Sequence, residues 1–259
     1  MTNFIFTFNS LFSALSAAFL LFSSFNAFGQ NASSGSVRQD VSQTTTYIQL
    51  GLSKTDNGDF VGAIKDFDRA IARSLASAEA YRYRSYAKLQ IGDYNGVVQD
   101  CSEAIRINSQ DSNAALAYLY RAYAKFALKQ YEGATHDCTS AIRLDPFDEE
   151  AMSLRGMAKL QLNDYVGAQN DYTEALRLNH ANAMYFFMRG QARAQTGDLI
   201  GAIGDFTMTL QLEPQATQAL VHRARVKIVL QDADACNDLR QAVEKGSTEG
   251  QAMLSAYCR

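Results

Sequence analysis

A ten-residue phrase, GDFVGAIKDF at Gly58–Phe67, returns along the chain at a nearly constant spacing. The later copies are GDYNGVVQDC from Gly92, KQYEGATHDC from Lys129, NDYVGAQNDY from Asn163 and GDLIGAIGDF from Gly197. Successive copies start 34, 37, 34 and 34 residues apart. A fixed period of this length is typical of stacked structural repeats. The one irregular spacing predicts a three-residue insertion in the polar segment Asn108–Asn113, in a loop between two repeats.

Apolar residues at helical spacing lie on both sides of the turn that opens each phrase. Each repeat is therefore predicted to consist of helix A, a turn and helix B. Three turns carry a glycine suited to the left-handed conformation that ends a helix: Gly58, Gly92 and Gly197. Four turns continue with an aspartate that can cap helix B: Asp59, Asp93, Asp164 and Asp198.

Small and large residues alternate at fixed repeat positions where two helices have to approach each other. The small residues of helix A are Gly51, Ser85, Ala122, Gly156, Gly190 and Ala224. Those of helix B begin with Ala63, Val97, Ala134, Ala168 and Ala202. Large side chains fill the spaces between them, among them Tyr47, Tyr81, Phe67, Tyr172 and Phe206. This arrangement predicts one continuous helical core that runs through all the repeats.

The order of these residues resembles that of the tetratricopeptide repeat family, over about Thr44 to Lys245. The resemblance implies an all-α, right-handed superhelical solenoid of about six helix-turn-helix repeats. Two features depart from the family pattern: its closing proline appears only as Pro146 and Pro214, and its leucine after the first aromatic residue is usually arginine. The sixth repeat is degenerate, and residues 246–259 are predicted to form a C-terminal capping helix.

Arginine and aspartate each recur at one repeat position beside the core. The arginines are Arg84, Arg121, Arg155, Arg189 and Arg223, and the aspartates are Asp66, Asp100, Asp137, Asp171, Asp205 and Asp238. Opposite charges that recur in phase at two neighbouring repeat positions predict a ladder of partly buried ion pairs. Each arginine could meet the aspartate of its own repeat or of the preceding one. The alternative is a row of arginines that binds an acidic ligand.

The N-terminal segment, residues 1–29, is predicted to be an export signal. An apolar stretch diluted by serine precedes Arg38, the first charged side chain, and Ala27 with Gly29 matches a signal-peptidase site that cleaves before Gln30. The segment lacks the usual basic start, so an uncleaved membrane anchor is the alternative. Its apolar core is short for a span of about 20 residues. Residues 30–43 are predicted to be a flexible linker, and the mature protein to be periplasmic or secreted.

The four cysteines fall into two pairs. Cys101 and Cys138 occupy the helix B position of the aromatic residues, and such positions on stacked repeats lie about 10 Å apart, so both are predicted to be buried free thiols. Cys236 lies in the last helix B and Cys258 near the end of the capping helix. Their arrangement resembles the terminal cap of exported bacterial repeat proteins, which implies a disulfide. Two further packed thiols are the alternative.

The sequence carries no signature of catalysis, metal binding or nucleic-acid binding. Its formal net charge is −3, and its three histidines are dispersed over three repeats. HExxH, CxxC and glycine-rich phosphate loops are all missing from the sequence. We therefore expect no enzyme activity, no cofactor, no metal and no nucleic-acid partner, and no membrane contact beyond the signal segment.

The family resemblance implies a concave groove, lined by helix A, that binds a peptide or helix of a partner protein. The carried-over positions are Arg82, Tyr83, Tyr86, Leu116, Leu119, Tyr120, Tyr123, Met157, Met184, Phe187, Gln191, Val221 and Arg225. The family's clamp for a terminal carboxylate is not reproduced, since Ile48 and Leu52 stand in its first two places. We expect a non-catalytic interaction scaffold of the cell envelope. The alternative is a structural protein that self-assembles there as a homo-oligomer.

Overall fold

Six pairs of helices and one closing helix make up the part of the chain that the computed structural model describes, residues 35–74, 77–110 and 112–258. The A helices are α1 (Gly35–Asp56), α3 (Ala78–Gln90), α5 (Ser112–Ala127), α7 (Glu149–Gln161), α9 (Ala183–Thr196) and α11 (Thr217–Val229). The B helices are α2 (Phe60–Arg73), α4 (Tyr94–Ile107), α6 (Tyr131–Leu144), α8 (Tyr165–Leu178), α10 (Leu199–Leu212) and α12 (Ala235–Glu244), and α13 (Thr248–Tyr257) closes the series. No strand occurs within these ranges, which confirms the all-α fold.

Each turn from helix A to helix B contains one residue with positive φ. Gly58, Gly92 and Gly197 adopt φ of 76°, 77° and 87°, as predicted. The other three turns use Lys129, Asn163 and Gln231, with φ between 57° and 61°. The four predicted aspartate caps form, each accepting a hydrogen bond from the backbone N–H three residues further on. The repeat boundaries are therefore set by local backbone chemistry.

The contact between helices A and B of one repeat depends on complementary volumes. A Cβ atom added to Gly51 would lie 2.5 Å from the ring of Phe67. Gly156 approaches Tyr172, and Gly190 approaches Phe206, in the same way. Where helix A instead carries Ser85 or Ala122, helix B carries Cys101 or Cys138, and both thiols are buried and free. Because the interior is close-packed, a larger side chain on one helix requires a smaller side chain at the facing position of the other helix.

The stack curves with the A helices on its inner side. Successive A helices contact one another, from α3 with α5 to α9 with α11. Successive B helices make no such contact within the described residues. Because the A helices approach more closely than the B helices, the A layer lies on the concave surface. This arrangement is that of the predicted superhelical solenoid.

Two boundaries differ from the sequence-based expectation. Helix α1 begins at Gly35, so residues 35–43, predicted to be a linker, are helical, because extending an existing helix costs little per residue. The insertion loop is confined to residues 108–111, because α5 begins at Ser112. The predicted export signal, residues 1–29, lies outside the described residues. Among the helices that are described, none is both long enough and apolar enough to cross a membrane.

The C-terminal end is closed by a packed helix and a covalent bond. Helix α13 packs against α12 and also contacts α11. Cys236 and Cys258 form a disulfide, with their Cα atoms 5.8 Å apart. The closing helix covers the last repeat and keeps its apolar side chains from water.

Candidate partner-binding groove

Thirteen side chains were carried over to the groove, and half of the ten other than Leu116, Met184 and Val221 are buried. Arg82 is only 6% exposed. The other buried members of the set are Leu119, Tyr120, Tyr123 and Phe187. These five side chains lie mostly beneath the surface, so the expectation that they line an open groove is corrected for them. The repeat position alone did not reveal this, because the same position packs or faces solvent according to the size of its neighbours.

The accessible part of the concave surface is formed by the remaining positions. Tyr83, Tyr86, Met157 and Gln191 are half-buried, and Arg225 is exposed. Of the three further positions carried over from the family, Leu116 and Met184 are half-buried and Val221 is buried. The surface therefore presents large apolar side chains with a few polar tips, one set from each repeat.

A tyrosine cluster connects repeats 2, 3 and 4. The rings of Tyr86 and Tyr120 have their centroids 5.6 Å apart. Tyr123 donates a hydrogen bond to Glu150 at the start of α7. Burial, together with the negative charges of Asp148 and Glu149, raises the pKa of Glu150 to about 7, although the hydrogen bond from Tyr123 opposes the shift. The tyrosine hydroxyls thus share this part of the surface with a carboxyl group that titrates near neutral pH.

Glu150 was missed by the sequence analysis, although the repeat period could have found it. It lies 34 residues after Leu116 and 34 before Met184, two positions that were carried over to the groove. All three occupy the same place on helix A.

At the other end of the surface, His222 is enclosed by aromatic rings. Phe187 meets its ring edge-on, with centroids 5.3 Å apart, and Gln191 lies 3.4 Å from its Nε2 atom. Burial lowers the pKa of His222 to about 4, and the positive charge of Arg225 adds to the effect. His222 is therefore neutral at physiological pH and acts as a packing residue.

The predicted ion-pair ladder is present, and each arginine binds the aspartate of its own repeat. In repeat 4, Arg155 donates from Nε and Nη2 to the buried carboxylate of Asp171, at 3.1 and 2.7 Å. The equivalent pairs are Arg84–Asp100, Arg121–Asp137, Arg189–Asp205 and Arg223–Asp238. Since all five guanidinium groups are already paired, they do not form a free row for an acidic ligand.

Two further contacts of the ladder were not anticipated. A second cation, one helical turn after each arginine, binds the same carboxylate, as Lys159 binds Asp171 at 2.9 Å. The remaining arginine nitrogen reaches a side-chain oxygen of the preceding helix B. It is a hydroxyl for four of the arginines, as in the 3.0 Å contact between Arg121 and Ser102, and the carboxylate of Asp68 for Arg84. Repeat 1 has Leu50 in place of the arginine, and its Asp66 pairs with Lys54 and Arg69.

A sequence profile of the tetratricopeptide repeat matches residues 48–112 and 153–224, just over half of the chain. The chain belongs to the tetratricopeptide repeat family. Among curated proteins, it is 32% identical over 76 residues to tetratricopeptide repeat protein 36 homolog of Nematostella vectensis, covering 29% of this chain and 42% of that protein. The Danio rerio protein 36 is 32% identical over 65 residues, 25% of this chain and 35% of that protein. The chain thus spans about two fifths of the length of these relatives.

Solved structures of other tetratricopeptide repeat proteins share the fold at low sequence identity. PilF of Pseudomonas aeruginosa aligns with a TM-score of 0.67 and 20% identity, over 84% of this chain and 99% of its own. YrrB, described as having an unusual peptide-binding site, aligns with a TM-score of 0.67 and 18% identity. The alignment covers 73% of this chain and 97% of YrrB. A MamA crystal structure aligns with a TM-score of 0.62 and 20% identity, and the alignment covers 68% of this chain and 94% of MamA. At these identities the likeness shows the fold alone.

The chemistry that this tetratricopeptide repeat surface offers is that of recognition. Within the described residues, no group of three or more His, Cys, Asp or Glu side chains is placed to hold a metal ion. Family members are generally non-catalytic scaffolds for protein–protein interaction. Their solenoids supply extended concave surfaces for binding.

Proposed function

We propose that this tetratricopeptide repeat protein is a non-catalytic scaffold that binds a peptide segment or helix of a partner protein along its concave surface. One observation carries the proposal: repeats 2 to 5 each present a half-buried apolar side chain there, namely Tyr86, Leu116, Met157 and Met184. Such side chains gain burial when a ligand covers them, and aromatic and methionine residues are enriched in interfaces. The peptide-binding site in the description of YrrB is an analogy at the level of the fold.

A terminal carboxylate is not the proposed ligand. Ile48 and Leu52, which stand where the family's carboxylate clamp begins, pack against the apolar core of repeats 1 and 2. They offer no hydrogen-bond donor. The proposed ligand is instead an internal segment of the partner.

We place the protein in the cell envelope or outside the cell. Two features support this location: the apolar segment 1–29 with its predicted cleavage site, and the disulfide between Cys236 and Cys258. Disulfides persist in oxidising compartments and are rare in the cytosol. Retention of the segment as a membrane anchor is the alternative.

Site-specific photo-cross-linking in living cells tests the groove. A photoreactive amino acid replaces Met157 on the concave surface, and in a matched control it replaces Arg106, an exposed residue of helix B. We expect a discrete cross-linked product from position 157 only. A Tyr86→Glu substitution that leaves the helicity unchanged should remove this product, because it places a charge in the apolar contact.

Equal products from positions 106 and 157, or a product at 157 that survives Tyr86→Glu, would place the working surface elsewhere. Mass spectrometry of the product identifies the partner and the cross-linked segment. That segment can then be synthesised for binding measurements with the purified protein.

Self-assembly is the second candidate function, and it rests on a different surface. Val166 and Ile200 share one position at the start of helix B in neighbouring repeats, and they are 61% and 72% exposed. Val229, at the end of α11, is also exposed. Sedimentation velocity over a range of protein concentrations tests this candidate. Self-assembly predicts a sedimentation coefficient that rises with concentration, and Ile200→Lys should abolish the rise. A scaffold for other proteins should instead sediment as a single species at all concentrations.

A further inference from the structure

Arg82 is a buried cation that forms no ion pair within the described part of the chain. Its side chain is 6% exposed, and its buried Nε atom has no hydrogen-bond partner among the described residues. No carboxylate oxygen in that part of the chain lies within 4.0 Å of its guanidinium nitrogens. Leaving a buried charge without a counter-charge is costly. The five arginines of the ladder, by contrast, each hold an aspartate.

The position of Arg82 is unusual within the repeat. The equivalent residues of the other five repeats are Ile48, Leu119, Ser153, Phe187 and Val221. Arg82 is therefore the one charged residue at this groove position, so the stacking of the repeats does not require it.

Tyrosines hold the guanidinium group in place at the concave surface. Its central carbon lies 4.2 Å from the ring centroid of Tyr83, a cation–π contact. Burial raises the pKa of Tyr120, and the positive charge of Arg82 opposes this shift. The ring of Tyr120 contacts Tyr86, which is half-buried and forms the accessible side of the cluster.

We propose that Arg82, with the hydroxyl of the half-buried Tyr86 one helical turn further along, binds a side-chain carboxylate of the partner segment. This inference rests on the proposed function and specifies its ligand. The apolar side chains Leu116, Met157 and Met184 follow in the next three repeats. The favoured ligand is thus a segment in which one aspartate or glutamate lies beside a run of apolar residues. An anion at this site gives Arg82 a direct ion-pair partner.

The surrounding charges favour a singly charged group over a dianion. Asp56 is near enough to Tyr86, and Glu150 near enough to Tyr120, for their negative charges to raise the pKa values of these tyrosines. A phosphorylated side chain, with a charge close to −2, would meet repulsion from Asp56 and Glu150.

Selection of random peptides displayed on phage, against the immobilised full chain, tests the inference. On the parent protein we expect enriched sequences with an acidic residue at a fixed place beside apolar residues. On an Arg82→Met variant the apolar pattern should persist without the acidic position. Enriched sequences that lack an acidic residue on the parent would overturn the inference and leave the proposed function standing. The absence of any enrichment would count against both.

A thermodynamic cycle then measures the contact directly. The best enriched peptide and its Asp→Asn or Glu→Gln form are titrated against the parent and against Arg82→Met, with fluorescence anisotropy as the readout. Each single change should weaken binding by about tenfold or more. The two changes together should weaken it no further than either one alone. Effects that multiply would show that Arg82 does not meet the carboxylate.

The melting temperature of the free protein separates binding from a structural role. Arg82→Met removes an uncompensated charge and keeps an unbranched apolar chain, so we expect Tm to rise or to fall by no more than about 2 °C. Arg155→Met, the matched control, removes the guanidinium that binds the buried carboxylate of Asp171 and should lower Tm clearly. Equal losses from the two substitutions would show that Arg82 serves stability, which would overturn the proposal.

Discussion

The ring of Phe206 occupies the space that a side chain at Gly190 would need. A Cβ atom on Gly190 would lie 2.8 Å from Cε1 of Phe206, closer than carbon atoms approach in folded proteins. Phe206 is fully buried between helices α9 and α10. The glycine is required here for close approach, because its own backbone is ordinary helix. The ring therefore determines the residue on the facing helix.

Replacing Gly190 by alanine is expected to lower the free energy of unfolding by about 1–3 kcal/mol, because the ring has to move within a packed core. Gly204 provides the matched control in the next helix: no heavy atom lies within 4 Å of the Cβ that it would gain. Gly204→Ala should raise the free energy of unfolding by about 0.5–1 kcal/mol. Urea denaturation followed by circular dichroism measures both. Shifts of the same sign would contradict this account.

The ladder should respond more strongly to paired than to single substitutions. In Arg155→Ala, Lys159 still holds the carboxylate of Asp171, so the expected loss is about 1.5–3 kcal/mol. With Lys159→Ala added, the buried carboxylate is stranded, and the loss should reach about 3–5 kcal/mol. Arg177→Ala, which removes the exposed pair with Glu174, should cost less than about 1 kcal/mol. A single variant as unstable as the double one would exclude a role for Lys159.

The stability of the protein should depend on the titration of Glu150. Burial raises its pKa from the ordinary 4.5 to about 7, so between these values the folded chain binds more protons than the unfolded chain. The contribution of Glu150 to stability is therefore lost as pH rises through this window. Relative to the parent, Glu150→Gln should gain roughly 1–3 kcal/mol between about pH 4.5 and pH 8. Denaturation curves at a series of pH values measure this difference.

The stability contribution of His222 changes with pH in the opposite direction to that of Glu150, so the two contributions have to be measured separately. Its pKa is lowered from 6.5 to about 4, and its contribution to stability is lost as pH falls through that window. The difference between Glu150→Gln and the parent cancels this term, because both proteins keep His222. A difference that does not change with pH would refute the raised pKa of Glu150.

The disulfide predicts both a thiol count and a stability change. Cys101 and Cys138 are free, so denatured, non-reduced protein should show two thiols by titration and four after reduction. Four thiols before reduction would contradict the bond. Cys236→Ser combined with Cys258→Ser should lower the free energy of unfolding by about 2–4 kcal/mol, because the bond restricts the unfolded chain.

The repeats, the helix order and the turns could be predicted from the sequence because local chemistry determines them. Gly58 and Asp59, for example, end one helix and cap the next through their own backbone conformation and side-chain oxygen. The boundary at Gly35 was missed because a polar segment can extend a helix without any apolar period.

The groove was predicted less well because exposure depends on neighbouring repeats. Tyr120 and Tyr86 are both tyrosines on helix A, yet Tyr120 is buried under its neighbours while Tyr86 remains accessible. The register of the ladder also required the structure, because an arginine lies near two aspartates at similar sequence distances. Helix contacts in three dimensions select the one in its own repeat.

The hydrogen bond from each ladder arginine to a side-chain oxygen of the preceding repeat gives the stack a direction. When repeat 2 detaches, Arg121 loses Ser102 but keeps Asp137, so repeat 3 retains its own ion pair. At the opposite end, the bond between Cys236 and Cys258 prevents α13 from separating from α12. Disassembly is therefore easier from the N-terminal side, and these side-chain contacts set the order in which the repeats unfold.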